Sequence, residues 1–205
     1  MKPADYPSLA NALCETCNRF GDRGWCRATS GNFSVRVDQG HSLITQSGKQ
    51  KARLTAADLM VCRFDGTPID ETCRPSAETP LHHCLYELDG DIDAVLHTHS
   101  VAGTLLSKHA GDALSVSGFE MQKALSGITT HEAALSIAVF ENDQDMSALA
   151  DKVRSAWSSF TVPGFLIAGH GLYAWGRSLE EAERHIEGFE FLFECLWQER
   201  LAGLG

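Results

Sequence analysis

The segment Ala94-Val95-Leu96-His97-Thr98-His99-Ser100 combines an apolar strand pattern with two histidines and a helix start. Its first five residues predict a strand, and apolar residues at helical spacing over about residues 100–109 predict that a helix follows. Side chains of a strand alternate between its faces, so His97 and His99 project to the same side within reach of one ion. The segment therefore predicts a metal site at the end of a strand.

A third metal ligand is predicted at His170, which lies between Gly169 and Gly171 and follows the apolar strand pattern of residues 165–168. Catalytic zinc sites typically have three protein ligands and one position for water or substrate. Flanking glycines allow a sharp turn that presents an imidazole without crowding. Spacing alone also fits three partly buried histidines that bond only to their neighbours, the commoner environment of a solitary histidine.

Apolar periodicity and turn residues predict that helices and strands interleave along the rest of the chain. The other predicted helices are residues 9–20 with an end near Gly21 or Gly24, a short one from Thr55, 76–88, 146–158, and a long one after a capping box at Ser178 and Glu181. The other predicted strands are 32–37 and 42–46 as a hairpin, 60–64, 137–140 and 165–168. No linker divides the chain, which predicts one domain over residues 1–205 with an α/β sandwich around a mixed sheet.

Composition limits the class of partner. The 205 residues are 43% hydrophobic and carry a formal net charge of -10, from 17 Lys and Arg against 27 Asp and Glu. This balance repels an extended phosphate backbone, so no nucleic-acid partner is expected, although local donors can still hold one small phosphorylated ligand. No apolar run is long enough to span a bilayer, which predicts a soluble protein with no membrane partner.

The first residues and the cysteines predict a cytoplasmic location. Residues 1–7 lack the apolar region of a secretory signal. The seven cysteines form an odd set, which indicates free thiols in a reducing compartment. Cys14 and Cys17 form a C-x-x-C pair, but they lie in the apolar pattern of the first helix and the sequence has no second pair. We interpret them as two small helix residues.

Two glutamates are candidate proton-transfer groups. Glu78 lies at a loop-to-helix junction in Pro75-Ser76-Ala77-Glu78-Thr79-Pro80, and Glu120 follows Gly118 in the segment after the metal strand. A Lewis-acidic metal polarises a carbonyl, and a carboxylate is then needed to move the proton beside it. Either glutamate also fits a first-turn acid that complements a helix dipole.

Polar turns on either side of the predicted hairpin are candidate anion sites. Each combines hydroxyl groups with a glycine at an element boundary, as a nest of backbone donors for phosphate requires. Each alone is an ordinary turn, but the pair together with a serine at a helix start predicts a phosphate site. The predicted phosphate ligands are Thr29, Ser30, Gly31, Asn32, Ser47, Gly48 and Ser76.

Six motifs occur in an order that resembles one protein family. They are Ser30-Gly31-Asn32, Ser47-Gly48, Pro75-Ser76-Ala77-Glu78, His97-Thr98-His99-Ser100, Glu120-Met121-Gln122-Lys123 and His170-Gly171-Leu172-Tyr173-Ala174-Trp175-Gly176. In this order, and over roughly residues 9–201, the chain resembles the class II aldolase/adducin superfamily. Each motif alone is weak, whereas the combination is specific.

The resemblance implies a three-layer α/β/α sandwich with a mixed, largely antiparallel central sheet. It also implies a homotetramer whose sites lie near subunit interfaces. One zinc ion per subunit is implied, bound by the histidines that match the family ligands, His97, His99 and His170.

The resemblance further implies that Glu120 is a catalytic acid/base. In aldolases of the family the position of Glu78 has that role, so the division of work between Glu78 and Glu120 stays open. Ala77 departs from the second phosphate-binding serine that aldolases often have, whereas Ser76 matches.

Within the family, the similarity is greatest to enzymes that dehydrate 5-methylthioribulose 1-phosphate to 2,3-diketo-5-methylthiopentyl 1-phosphate in methionine salvage. The resemblance thus implies a lyase with a small phosphorylated ketose as substrate. Two alternatives stay open: aldol cleavage of a ketose 1-phosphate such as fuculose or rhamnulose 1-phosphate, and an adducin-like binding module without catalysis. The three retained histidines argue against the second.

Overall fold

Eight strands form one continuous sheet in the computed structural model, which describes residues 1–204. The strands are β1 Asn32–Arg36, β2 His41–Thr45, β3 Leu59–Arg63, β4 Ala94–Thr98, β5 Ala113–Val116, β6 Leu135–Phe140, β7 Gly164–Ile167 and β8 Gly171–Gly176. Their order is β3-β2-β1-β4-β8-β7-β6-β5, and of the seven neighbouring pairs only β6 with β7 is parallel. The predicted mixed, largely antiparallel sheet is confirmed.

Five helices cover the sheet on both faces, as the predicted α/β/α layering requires. They are α1 Pro7–Asp22, α2 Thr79–Leu88, α3 Val101–Lys108, α4 Met146–Ala156 and α5 Leu179–Ala202. The larger apolar core lies between one face and α1, α3 and α5, and a second core lies between the other face and α2 and α4. Within residues 1–204, no helix has the length and apolar character needed to cross a membrane.

The elements around the predicted metal site begin and end where the local sequence places them. β4 is buried along its whole length, and Ser100 caps α3 by accepting a hydrogen bond from the backbone N–H of Gly103 at 3.0 Å. Only one of the two hydrogen bonds of the predicted capping box forms at the start of α5. Ser178 accepts from the N–H of Glu181, but the Glu181 carboxylate accepts from the N–H of Arg177 rather than from Ser178.

Two strands were not predicted, and one helix begins later than predicted. β8 escaped prediction because it is buried throughout and so lacks alternation, and because it begins and ends with glycine and contains no β-branched residue. β5 has four residues of which only Leu114 and Val116 are buried, so its apolar pattern is short. α2 begins at Thr79 rather than at residue 76. The next residue, Pro80, is suited to the first turn of a helix.

Gly164 lies where β7 and α5 approach each other closely. A Cβ built there would lie 2.6 Å from the ring of Phe189 and 2.8 Å from the carbonyl oxygen of Tyr173. Real Cβ atoms do not approach other heavy atoms this closely, so the contact between sheet and helix requires glycine.

Replacing Gly164 with alanine is expected to lower the free energy of unfolding by about 1–3 kcal/mol, because the added methyl group overpacks the core. Gly90→Ala is the matched control, since no described atom lies within 4 Å of a Cβ at that position. For the control we expect a change within about 0.5 kcal/mol. Urea unfolding followed by circular dichroism measures both, and equal changes would contradict the packing argument.

Candidate active site

Three imidazoles and one carboxylate converge at the ends of two neighbouring strands. His97 is in β4 and His99 directly follows it, while His170 lies in the turn between β7 and β8. β4 and β8 are hydrogen-bonded neighbours, so this turn lies beside the end of β4. Glu78, just before α2, completes the group, and one ligand atom from each residue lies within 4.8 Å of those of the others.

The ring nitrogens have the arrangement expected of metal ligands. The Nδ1–H of His97 donates to the carbonyl of Leu172 at 2.9 Å, which leaves a lone pair on Nε2, and Tyr173 stacks on the ring at a centroid distance of 4.0 Å. His97 Nε2, His99 Nε2 and His170 Nδ1 are buried without a hydrogen-bond partner among the described residues. A metal-bound histidine usually donates its other N–H to a carbonyl in this way.

The protonation state of His99 also suits metal binding. Burial, together with the neighbouring imidazoles of His97 and His170, lowers the pKa of His99 to about 3, so this ring is neutral at pH 7 and its lone pair is available. Imidazole groups bind several divalent ions. The site is therefore compatible with a divalent metal ion.

Glu78 is an ionised carboxylate inside this group. Its Oε1 lies 3.0 Å from Nε2 of His170 and 3.5 Å from Nε2 of His97, and its Oε2 accepts a hydrogen bond from the side-chain amide of Asn32. Burial raises the pKa of Glu78, but the charges and hydrogen bonds of His97 and His170 outweigh burial and hold it well below the usual range. Such a carboxylate can be a fourth ligand or a proton acceptor.

A polar cavity of about 110 Å³ adjoins the metal ligands, and we call it the cradle. All seven residues predicted to bind phosphate line it, and it reaches Glu78 and His99. The hydroxyl of Ser30 is buried there without a hydrogen-bond partner among the described residues. The tertiary structure thus brings the predicted turns together beside the predicted metal site, and their role as phosphate ligands stays a prediction.

Lys51 also lines the cradle and was not singled out from the sequence. Its side chain is 2% exposed, and its Nζ donates to the carbonyls of Thr29 at 3.2 Å and Lys49 at 2.7 Å. No carboxylate oxygen among residues 1–204 lies within 4.0 Å of this nitrogen, and burial lowers the pKa of the ammonium group. The only sequence signal was its position shortly after the Ser47-Gly48 turn.

Glu120 lies apart from the ligand group and does not line the cradle. It begins a short 3-10 turn, its side chain is 71% exposed, and its carboxylate pairs with Lys123 at 2.7 Å and with His131 at 3.2 Å. Its catalytic role stays a prediction.

Cys14 and Cys17 are buried free thiols on α1, as interpreted from the sequence.

Protein purified without chelators is expected to hold about one divalent ion per chain, measured by plasma mass spectrometry. We expect His99→Ala to weaken metal binding by more than about 100-fold. Removing a residue that only hydrogen-bonds to a metal ligand typically costs less than this in metal affinity. His109→Ala, which removes an exposed imidazole outside the group, is the control and should bind normally. A metal-free wild type, or unchanged metal content in His99→Ala, would contradict the assignment.

Several known proteins resemble this chain in sequence or in structure. The family model described as class II Aldolase and Adducin N-terminal domain matches residues 11–197. A protein of Marinobacter nauticus named methylthioribulose-1-phosphate dehydratase is 48% identical over 93% of this chain and 93% of its own length. A protein of Yersinia pestis with the same name is 49% identical over 93% of this chain and 86% of its own length. The solved structure of L-fuculose-1-phosphate aldolase from Thermus thermophilus has a TM-score of 0.78 and 29% identity, covering 96% of this chain and 97% of that one. The chain belongs to the class II aldolase and adducin family.

Proposed function

We propose that this chain is a lyase that dehydrates methylthioribulose 1-phosphate to the 2,3-diketone. The observation that carries the proposal is the 48% identity to a relative named for this activity, over 93% of both chains. The site is consistent with it, because a candidate metal centre directly adjoins a small polar cavity that contains the unpartnered hydroxyl of Ser30. A phosphorylated ketose needs both features, one for its carbonyl and one for its phosphate.

The cradle would hold the phosphate group and so place the ketose carbons beside the imidazoles. Its donors are hydroxyl groups and the ammonium of Lys51, which carries the positive charge that a phosphate requires. In the buried cradle this charge acts with little weakening by water. The fixed distance between cradle and imidazoles would then select the length of the substrate.

We propose that each subunit binds one zinc ion, which His97, His99 and His170 would hold. As a Lewis acid, this ion would stabilise negative charge on the substrate oxygens. Glu78 is ionised and lies beside these ligands, so we assign it the removal of the proton from C3. We assign Glu120 the delivery of a proton to the C4 hydroxyl, which leaves as water. Because Glu120 is exposed and lies outside the ligand group, it would act at the site of a neighbouring subunit in the proposed homotetramer. The resulting enol then becomes a ketone at C3 when its hydroxyl proton is lost and C4 is protonated.

The decisive experiment is the product of the purified protein with methylthioribulose 1-phosphate. We expect loss of one water and formation of the diketone, followed by mass spectrometry and by trapping with o-phenylenediamine. Glu78→Gln should lower kcat by at least about 100-fold, because a neutral amide cannot accept the proton. Formation of dihydroxyacetone phosphate in place of the diketone would contradict the proposal.

Aldol cleavage is the second candidate function. It is favoured by the similarity to the Thermus thermophilus structure, which is named L-fuculose-1-phosphate aldolase and matches over 96% of this chain. Both reactions place negative charge on the C2 and C3 oxygens of the ketose, but they break different bonds at C4 and give different products. The product assay therefore separates them. The cytoplasmic location and the homotetramer stay predictions from the sequence.

The role of Lys51 in binding the phosphate is tested by Lys51→Met. We expect the KM for the phosphorylated ketose to rise about tenfold or more, since a hydrogen bond to a charged group contributes about 1.5–3 kcal/mol. Inhibition by inorganic phosphate should weaken by the same factor.

Lys49→Met is the matched control, because the Lys49 ammonium is half-exposed and pairs with Asp58 at 3.0 Å. For this variant we expect a change in KM of less than about threefold, as for an exposed ion pair. Equal effects of the two substitutions would argue against a specific role for Lys51.

A further inference from the structure

The carboxylate of Glu78 is the end of a buried chain of hydrogen bonds that leads away from the imidazoles. The side-chain amide of Asn32 donates to Glu78 Oε2, and its oxygen contacts Nε2 of His82. Nδ1 of His82 is 2.8 Å from the hydroxyl of Ser34, which is 2.7 Å from the hydroxyl of Tyr86. These four residues are each at most 3% exposed. We call them, with Glu78, the Glu78 chain.

With His82 neutral, one placement of the protons satisfies every bond in the Glu78 chain, and burial lowers the pKa of this ring. The amide nitrogen of Asn32 faces Glu78 and can only donate, so the amide oxygen must accept from His82. His82 therefore carries its proton on Nε2, and its Nδ1 accepts from Ser34, whose oxygen accepts from Tyr86. Every donor thus points toward Glu78, an arrangement in which successive bonds strengthen one another.

Two simple periodicities build this chain. Asn32 and Ser34 are two apart on β1 and share a face of the sheet. Glu78, His82 and Tyr86 are four apart, at the start of α2 and along one of its faces. A strand and a helix that pack together therefore interleave their polar side chains in one line.

A neighbouring pair shows that burial alone does not require the chain. His83 is 1% exposed and lies beside His82 on α2, and its Nε2 is 2.9 Å from the hydroxyl of Ser42. Its Nδ1 has no hydrogen-bond partner among the described residues, so this serine–histidine pair does not continue to the active site. Two similar buried pairs thus differ in their connection to Glu78.

We propose that His82 is a positioning residue, which holds Glu78 Oε2 through Asn32. This contact keeps Oε1 of Glu78 directed at the imidazoles of His97 and His170. The inference rests on the proposed function, in which Glu78 accepts a proton. His82 thus acts on the reaction without touching the substrate.

The test compares His82→Leu with His83→Leu, two substitutions of the same type at neighbouring buried positions. For His82→Leu we expect kcat to fall by about 10- to 100-fold while bound metal is retained, as for the loss of an outer hydrogen-bond partner. Its KM should change by less than about twofold, because His82 does not line the cradle. His83→Leu should keep kcat within about twofold of wild type. Equal losses in the two variants, or an unchanged kcat in His82→Leu, overturn the proposal.

A milder pair serves if either leucine variant does not fold. Ser34→Ala removes the partner of His82, and Ser42→Ala removes the partner of His83. We expect kcat to fall by about 3- to 10-fold in Ser34→Ala only, the rate equivalent of one hydrogen bond. The same kcat in both alanine variants overturns the proposal.

A measurement without substrate separates this inference from the proposed function. Long-range ¹H–¹⁵N spectra of the labelled wild-type protein report which ring nitrogen of His82 carries the proton. We expect the neutral Nε2–H form, and a Nδ1–H form or an imidazolium overturns the proton order of the Glu78 chain. If the wild-type protein forms no diketone, the proposed function fails while this result still decides the direction of the chain.

Discussion

The pairing of β4 with β8 is the constraint on which the active site depends. Leu172 in β8 accepts a hydrogen bond from the ring of His97 at 2.9 Å, so the backbone that forms the centre of the sheet also orients the imidazole. Gly171 permits this approach, because a Cβ there would lie only 2.1 Å from the carbonyl oxygen of Thr98. The turn that carries His170 is thereby held against the end of β4, and the three rings meet.

The buried charges divide the site into two parts. The carboxylate of Glu78 faces the imidazoles, and the ammonium of Lys51 lies in the cradle. The chain as a whole has a net charge of -10, which disfavours an anionic ligand at long range. Screening by salt weakens that distant charge more than it weakens a buried group in contact with the ligand. Local donors can therefore select a phosphate on an acidic protein.

Much of the fold could be predicted because its signals are local. The apolar periodicity of α5 and the β-rich runs around the turn of the β1–β2 hairpin are properties of short segments, and both were recognised. β8 lacks a comparable signal because it begins and ends with glycine and contains no β-branched residue. The Glu181 carboxylate bonds to Arg177 and to Ser126, which is distant in sequence, so the capping box predicted from spacing formed only by half.

By itself, the sequence determined the chemical groups at the ends of the elements: two histidines two apart after an apolar strand, a third between glycines, and serine–glycine turns. These follow from alternation and turn chemistry, which act over a few residues. Only the tertiary structure decided that Glu78 joins the three imidazoles, that Lys51 is buried in the cradle and that Glu120 lies at the surface. The physical reason is that burial and contact depend on which distant segments pack together, as Asn32 with His82 and Glu78 with His170 show.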